Sequence, residues 1–189
     1  MRNLLKFSII AALVTASLLL VSCGDDVKQI DKTNNSSKEQ TQTPAAQNNY
    51  SSGGYVFEYS GVSVEMDAPA SAIVEKLGDG YQYFESASCA FDGIDKTYIY
   101  PHFELMTYPD NGVDRVQALY IKDDLAATKE GLCIGSTLED MQRLYGTSGE
   151  QSGNEYTFEK GGMLLKIQIT DEKVSYITYA SKVLGEVSN

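Results

Sequence analysis

The rhythm of hydrophobic and polar residues changes three times along the 189-residue chain. Residues 7–21, "FSIIAALVTASLLLV", are one short apolar run; from 24 to about 54 large apolar side chains almost vanish; beyond 55 they return in periodic patterns. Within the periodic region a pair of windows shares a plan. "GVSVEMDAPASAIVEKLG" (61–78) and "GLCIGSTLEDMQRLYG" (131–146) each begin with glycine and an apolar–small–apolar triplet. Each then passes a capping residue, runs through one amphipathic helix and stops at glycine. In the second window Ser136 and Glu139 form an S-x-x-E capping box, and Gly146 supplies the left-handed stop. Leu138, Met141, Leu144 and Tyr145 fall at helical spacing. In the first, Asp67 can cap, Pro69 suits the first turn, and Ile73, Val74 and Leu77 make the stripe.

Three strand-like runs follow each helix: 81–89, 97–109 and 114–123 after the first, 154–161, 162–171 and 173–182 after the second. Turn residues at 92–95, 109–112, 160–163 and 170–173 favour hairpins, and 55–61 adds a strand at the entry. A helix with one narrow stripe and three strands with one apolar face cannot bury themselves alone, but two such units can share a core. Met163, Leu165, Ile167 and Ile169 mark the core side of one strand, with Lys166 and Gln168 facing out. The expected fold is α+β: two tandem α-β-β-β units (about 55–123 and 124–189) sharing an antiparallel sheet, with both helices on one face. The other face is then open to solvent or a ligand.

Tandem helix–three-strand units, each opened by a helix start of the "IGSTLEDM" type (134–141), resemble the β-lactamase-inhibitor-protein-like fold. Residues 88–109 with 123–146 also resemble uncharacterised lipoproteins from Firmicutes. The resemblance spans the head and rests on caps, glycines and core positions. It implies the architecture and carries no contact residues over, because fold does not transfer function.

The N-terminus speaks to location. Arg2 and Lys6 precede the apolar run, which is shorter than a membrane-spanning helix requires, and polar chain follows at once. "LVSC" (20–23) resembles the bacterial lipobox, which implies cleavage before Cys23 and a lipid on its thiol. The expected layout is a signal peptide at 1–22, the lipidated Cys23 and a disordered polar tether at 23–54, and one domain at 55–189. Such a protein sits at the cell membrane on its extracytoplasmic face. Loss of 1–22 removes two basic residues and no acid, so the formal charge of −11 becomes −13. That acidity excludes nucleic acid as a partner and leaves the lipid to hold the membrane.

Cys89 and Cys133 remain in the head. They can pair outside the cytoplasm, although Cys133, between Leu132 and Ile134, also suits the role of a small hydrophobe. No metal or cofactor motif and no nucleophile-elbow pattern occurs. The one histidine, His102, lies two residues from Glu104 on a strand, where the two could form an acid–base pair or a solvated surface pair. An enzyme or small-ligand receptor built on that pair is the alternative function.

The expected function is non-catalytic binding. In 97–109 strict alternation puts Ile99, Phe103 and Leu105 on the core face, and Tyr98, Tyr100, His102, Glu104, Met106 and Tyr108 on the open one. Tyrosine joins large contact area to few rotamers, which suits recognition, but it is also a favoured strand residue. Pro101 cannot donate to a ladder, and a bulge there would reverse the alternation and turn His102 inward. Tyr98, Tyr100, His102, Glu104 and Tyr108 are thus the candidate contacts for an envelope or secreted protein.

Overall fold

The computed structural model describes residues 28–29 and 53–183. The expected signal peptide, Cys23 and most of the expected tether lie outside them. Within that tether region, Lys28–Gln29 form a two-residue strand, β1. The head opens with a hairpin, β2 (Phe57–Tyr59) and β3 (Val62–Val64), followed by helix α1 (Ala70–Leu77). Next come β4 (Gln82–Ala87), β5 (Ile94–Ile99), β6 (Phe103–Asp110) and β7 (Val113–Ile121). Helix α2 (Leu138–Tyr145) precedes β8 (Glu150–Ser152), β9 (Glu155–Lys160), β10 (Met163–Thr170) and β11 (Lys173–Ser181). The fold is α+β. All strands but the β2–β3 hairpin join one antiparallel sheet in the order β1-β4-β5-β6-β7-β11-β10-β9-β8, so β7 and β11 meet at its centre.

Four strands follow each helix, where three were expected. The run 97–109 is two strands, because the chain reverses at Pro101 and His102, and the short β8 was not anticipated. Three of the four anticipated hairpin turns form; at 92–95 a loop over 88–93 joins β4 to β5 instead, and Ile94 and Asp95 already belong to β5. Asn111 and Gly112 have φ of 49° and 80°, and Asp171 and Glu172 have 51° and 60°. Positive φ at both central residues matches the right-handed strand twist.

Both helices are eight residues long, too short to persist without tertiary packing. Ala70 and Ile73 of α1 and Met141 of α2 join the core, with Val74, Leu77, Leu138, Leu144 and Tyr145 packed against it. The capping box on α2 sits one residue later than expected: Thr137 accepts from the Asp140 N–H at 3.1 Å, and the Asp140 carboxylate accepts from the Thr137 N–H at 3.3 Å. Asp67 does not cap α1, whose N-cap is Pro69.

The segments before the helices tie down the central strands in the same way. The Asp67 N–H donates to the Val116 carbonyl at 2.8 Å and Val116 N–H to the Ala68 carbonyl at 2.9 Å. Likewise Gly135 N–H donates to the Val174 carbonyl and Val174 N–H to the Ser136 carbonyl, both at 2.8 Å. Beyond each valine the strand carries one extra residue, at Gln117 in β7 and Ser175 in β11, where the ladder register shifts. Each bulge leaves one residue without a ladder partner and resets the alternation.

The register places two rows of core side chains on the helix side. One runs Tyr98, Leu105, Leu119, Tyr179, Leu165, Phe158; the other runs Phe103, Ile121, Ile177, Ile167, Tyr156. The β2–β3 hairpin closes over their centre, where Phe57 lies 5.1 Å from Phe103 and 6.0 Å from Tyr179, ring to ring. Tyr145 of α2 stands 5.6 Å from Phe158 on the same side. The core sits between the sheet and this layer of helices and hairpin.

Candidate functional site

The residues between those core positions form the other face of the sheet. One row reads Phe84, Thr97, Met106, Ala118, Ala180, Leu164, Glu159. The next reads Gln82, Ile99, Glu104, Tyr120, Thr178, Lys166, Thr157, Glu150. None of these residues belongs to the core cluster, and most are half-buried. The surface is apolar at intervals, with threonines and charges between.

At its centre the β11 bulge aims Tyr176 outward, and this ring is 39% exposed. Its centroid is 5.8 Å from that of Tyr120 across the β7–β11 junction. Glu104 faces Tyr120 in the ladder. Burial first, and then the Glu104 charge, raise the Tyr120 hydroxyl above its ordinary pKa. Tyr176 is raised as well, by burial, by Tyr120 and by Glu104. Both hydroxyls therefore stay protonated and able to donate at neutral pH.

The expected contact residues do not gather on this face. Tyr100 and Tyr108 are each only 4% exposed. The turn at Pro101 reverses the alternation of β5 relative to β6, so that Tyr98 lines up with Leu105 on the core side and Ile99 with Glu104 on the open side. Tyr98 and Tyr100 pack with Tyr81 at centroid distances of 5.0 and 5.3 Å. Tyr108 stacks on Phe91 and donates to the Asp67 carboxylate at 3.0 Å, beside the Ser181 hydroxyl bound to the same oxygen. These three tyrosines are packing residues. Of the expected set only Glu104, with its neighbour Met106, is on the open face.

His102 and Glu104 do not pair. His102 Nδ1 lies 2.8 Å from an Asp123 carboxylate oxygen and its ring packs 6.2 Å from Tyr59. The bond to His102 is the main reason that the Asp123 carboxyl is held below the usual range. Among the described residues this dyad has no serine, threonine or cysteine bonded to it. A cavity of about 10 Å³ beside Gly54, Glu65, Asp67 and Met163 has room for about one water and no substrate. Of the two readings of the cysteines, the Cys89–Cys133 bridge is not the one formed: Cys133 is a free thiol whose sulfur sits 3.5 Å from the Ser136 hydroxyl.

Tyr120 and Tyr176 were missed as site residues. A signal for the first was present: once Leu119 and Ile121 are assigned to the core, Tyr120 between them must face outward. For Tyr176 the signal was divided: alternation from Ile177 points it outward, alternation from Val174 points it inward, and the bulge at Ser175 decides between them. Among the described residues no helix is long and apolar enough to cross a membrane. Comparison with protein-family models, curated proteins and solved structures finds no match.

Proposed function

We propose that this protein is an extracytoplasmic lipoprotein, held at the membrane by a lipid on Cys23, whose head is a non-catalytic protein-binding module. The observation that carries the binding reading is the sheet face that no helix among the described residues covers. Phe84, Ile99, Met106, Tyr120, Leu164 and Tyr176 offer apolar contact there, and Glu104 and Lys166 offer polar contact. A broad, shallow, mixed surface suits a macromolecule better than a small substrate, which needs a cleft with converging groups. The anchoring reading is supported by the basic, apolar, Leu-x-small-Cys order of residues 1–23.

In this reading the head is a duplication, each copy a helix followed by strands. The matching hydrogen bonds of Val116 and Val174 support it, as do the matching bulges and the two eight-residue helices ending on Gly78 and Gly146 with φ near 80°. The resemblance to the β-lactamase-inhibitor-protein-like fold belongs to the same proposal. A duplicated sheet is a rigid platform whose centre, at β7 and β11, is the natural recognition point.

Anchoring and binding are tested separately. Metabolic labelling with a palmitate analogue should mark the wild type and not Cys23→Ala; label on both would remove Cys23 as the anchor. Capture from the parent cell's envelope and secreted fraction should retain a protein on the wild type that is lost from Ile99→Asp/Leu164→Asp. Retention of that protein by the double variant, folded by circular dichroism, would move the site off this face.

A further inference from the structure

A half-buried carboxylate on the open face has no cation beside it among the described residues. Glu104 is half-buried, and among the described residues no hydrogen bond or ion pair reaches its side chain. The neighbouring charges are engaged elsewhere. Lys166 pairs with Glu155 at 3.5 Å, Lys182 with Glu159 at 2.7 Å, and Lys122 directs its ammonium to the Tyr100 carbonyl at 3.2 Å. A partly desolvated carboxylate without a partner is unfavourable, and an incoming cation would relieve that. Beside it stand the rings of Tyr120 and Tyr176, tilted 39° to one another, and Tyr176 is the more exposed.

The geometry points to a seat for an arginine side chain of a protein partner, built by Glu104, Tyr120 and Tyr176. The inference rests on the reading of the open face as the binding surface and names the partner's chemistry. A planar guanidinium can lie over a tyrosine face while its N–H fork meets the carboxylate. An ammonium offers only a point charge and stays more strongly hydrated, so arginine fits better than lysine. The formal charge of −11 draws basic segments toward the molecule, and the seat gives them one place to dock. The seat lies on β6, β7 and β11, strands packed from behind by the core, so its components are held without ligand.

The test uses the full chain in detergent micelles, isotope-labelled for amide chemical-shift mapping. The probes are acetyl-Gly-Arg-Gly-Arg-Gly-amide and its lysine and citrulline counterparts, the last a neutral isostere of the first. The arginine peptide should shift the amides around 104, 120 and 176, the lysine peptide should bind more weakly, and citrulline should shift nothing. Glu104→Gln should weaken the arginine peptide roughly three- to ten-fold, and Tyr176→Ala roughly two- to five-fold. Glu139→Gln, an exposed acid on α2, is the control for general acidity and should change affinity less than about two-fold. Equal weakening by Glu104→Gln and Glu139→Gln, or no binding at all, would overturn the seat. Equal binding of the lysine peptide would overturn its selectivity for guanidinium. Shifts elsewhere on the open face would refute the seat and spare the face as binding surface, whereas shifts confined to the helix side would refute both.

Discussion

On β7 and β11 residues close in sequence lead opposite lives. Leu119 and Tyr179 are fully buried beneath the helices and the β2–β3 hairpin, whereas Tyr120 and Tyr176 look out from the open face. The same side-chain type, tyrosine, appears in both settings. At 179 the ring fills the centre of the core, packed edge-on against Phe57. At 176 the ring packs against its neighbour Tyr120 and is 39% exposed. Residue type alone does not decide which tyrosine faces outward and which one packs; the phase of the strand does.

The sharpest way to break this comparison is to truncate one residue on each side. Tyr179→Ala empties the largest fully buried position and should cost about 3–5 kcal/mol in urea unfolding, as large core truncations do. Tyr176→Ala should stay within about 0.5 kcal/mol of wild type, as at other surface positions. Similar losses at both sites would mean that the open face is covered in solution.

Alkaline titration reaches the same contrast through ionisation. Burial is the first cause that raises the core-side tyrosines, Tyr98 to about 12, with Tyr100, Tyr108, Tyr145 and Tyr179 also raised. An unfolded tyrosine ionises near pH 10. A folded pKa above that value favours the neutral hydroxyl, so the stabilisation is complete below pH 10 and declines as pH rises toward 12. Unfolding midpoints measured from pH 8 to 12 should fall with pH, and Tyr98→Phe should fall less steeply than the wild type. Parallel curves would remove Tyr98 from this effect.

The α2 capping box should give a smaller change. Thr137→Ala removes the acceptor for the Asp140 N–H and should cost about 1 kcal/mol in thermal or urea unfolding. Asp140 is held down to about 2, chiefly by Arg143 and then by Thr137. A lowered carboxyl pKa stabilises above the unfolded value near 4 and loses that effect as pH falls toward 2. Wild type and Asp140→Asn should therefore converge in stability between pH 4 and pH 2. A constant gap across that range would show that the carboxylate charge is not what stabilises the helix start.

The sequence made some of this architecture readable and hid the rest for a physical reason. Helix positions and hairpin turns were legible because caps, stripes and turn residues are local signals: Gly78 and Gly146 end the helices, and Asn111-Gly112 makes its turn. Strand phase was not. The turn at Pro101 and the extra residues Gln117 and Ser175 each reset a two-residue period, and one reset sends every later side chain to the opposite face. Tyr98 and Tyr100 were lost from the site for that reason and Tyr176 was gained. Tyr108 is covered by Phe91 and bonded to Asp67, contacts from loops that alternation along β6 does not reveal. Glu104 kept its place; Tyr120 comes from the next strand, and Tyr176 from β11, distant in sequence.

Site-specific photocrosslinking in the parent cell tests the open face most directly. A benzophenone side chain at position 176 of the full chain would report what touches the centre of the face, and the same probe at position 139 would report the outer side of α2. The account predicts a discrete protein adduct from 176 that is absent from 139 and weakened by Glu104→Gln. Adducts from 139 alone, with 176 silent in a folded protein, would contradict it and move recognition to the helix side.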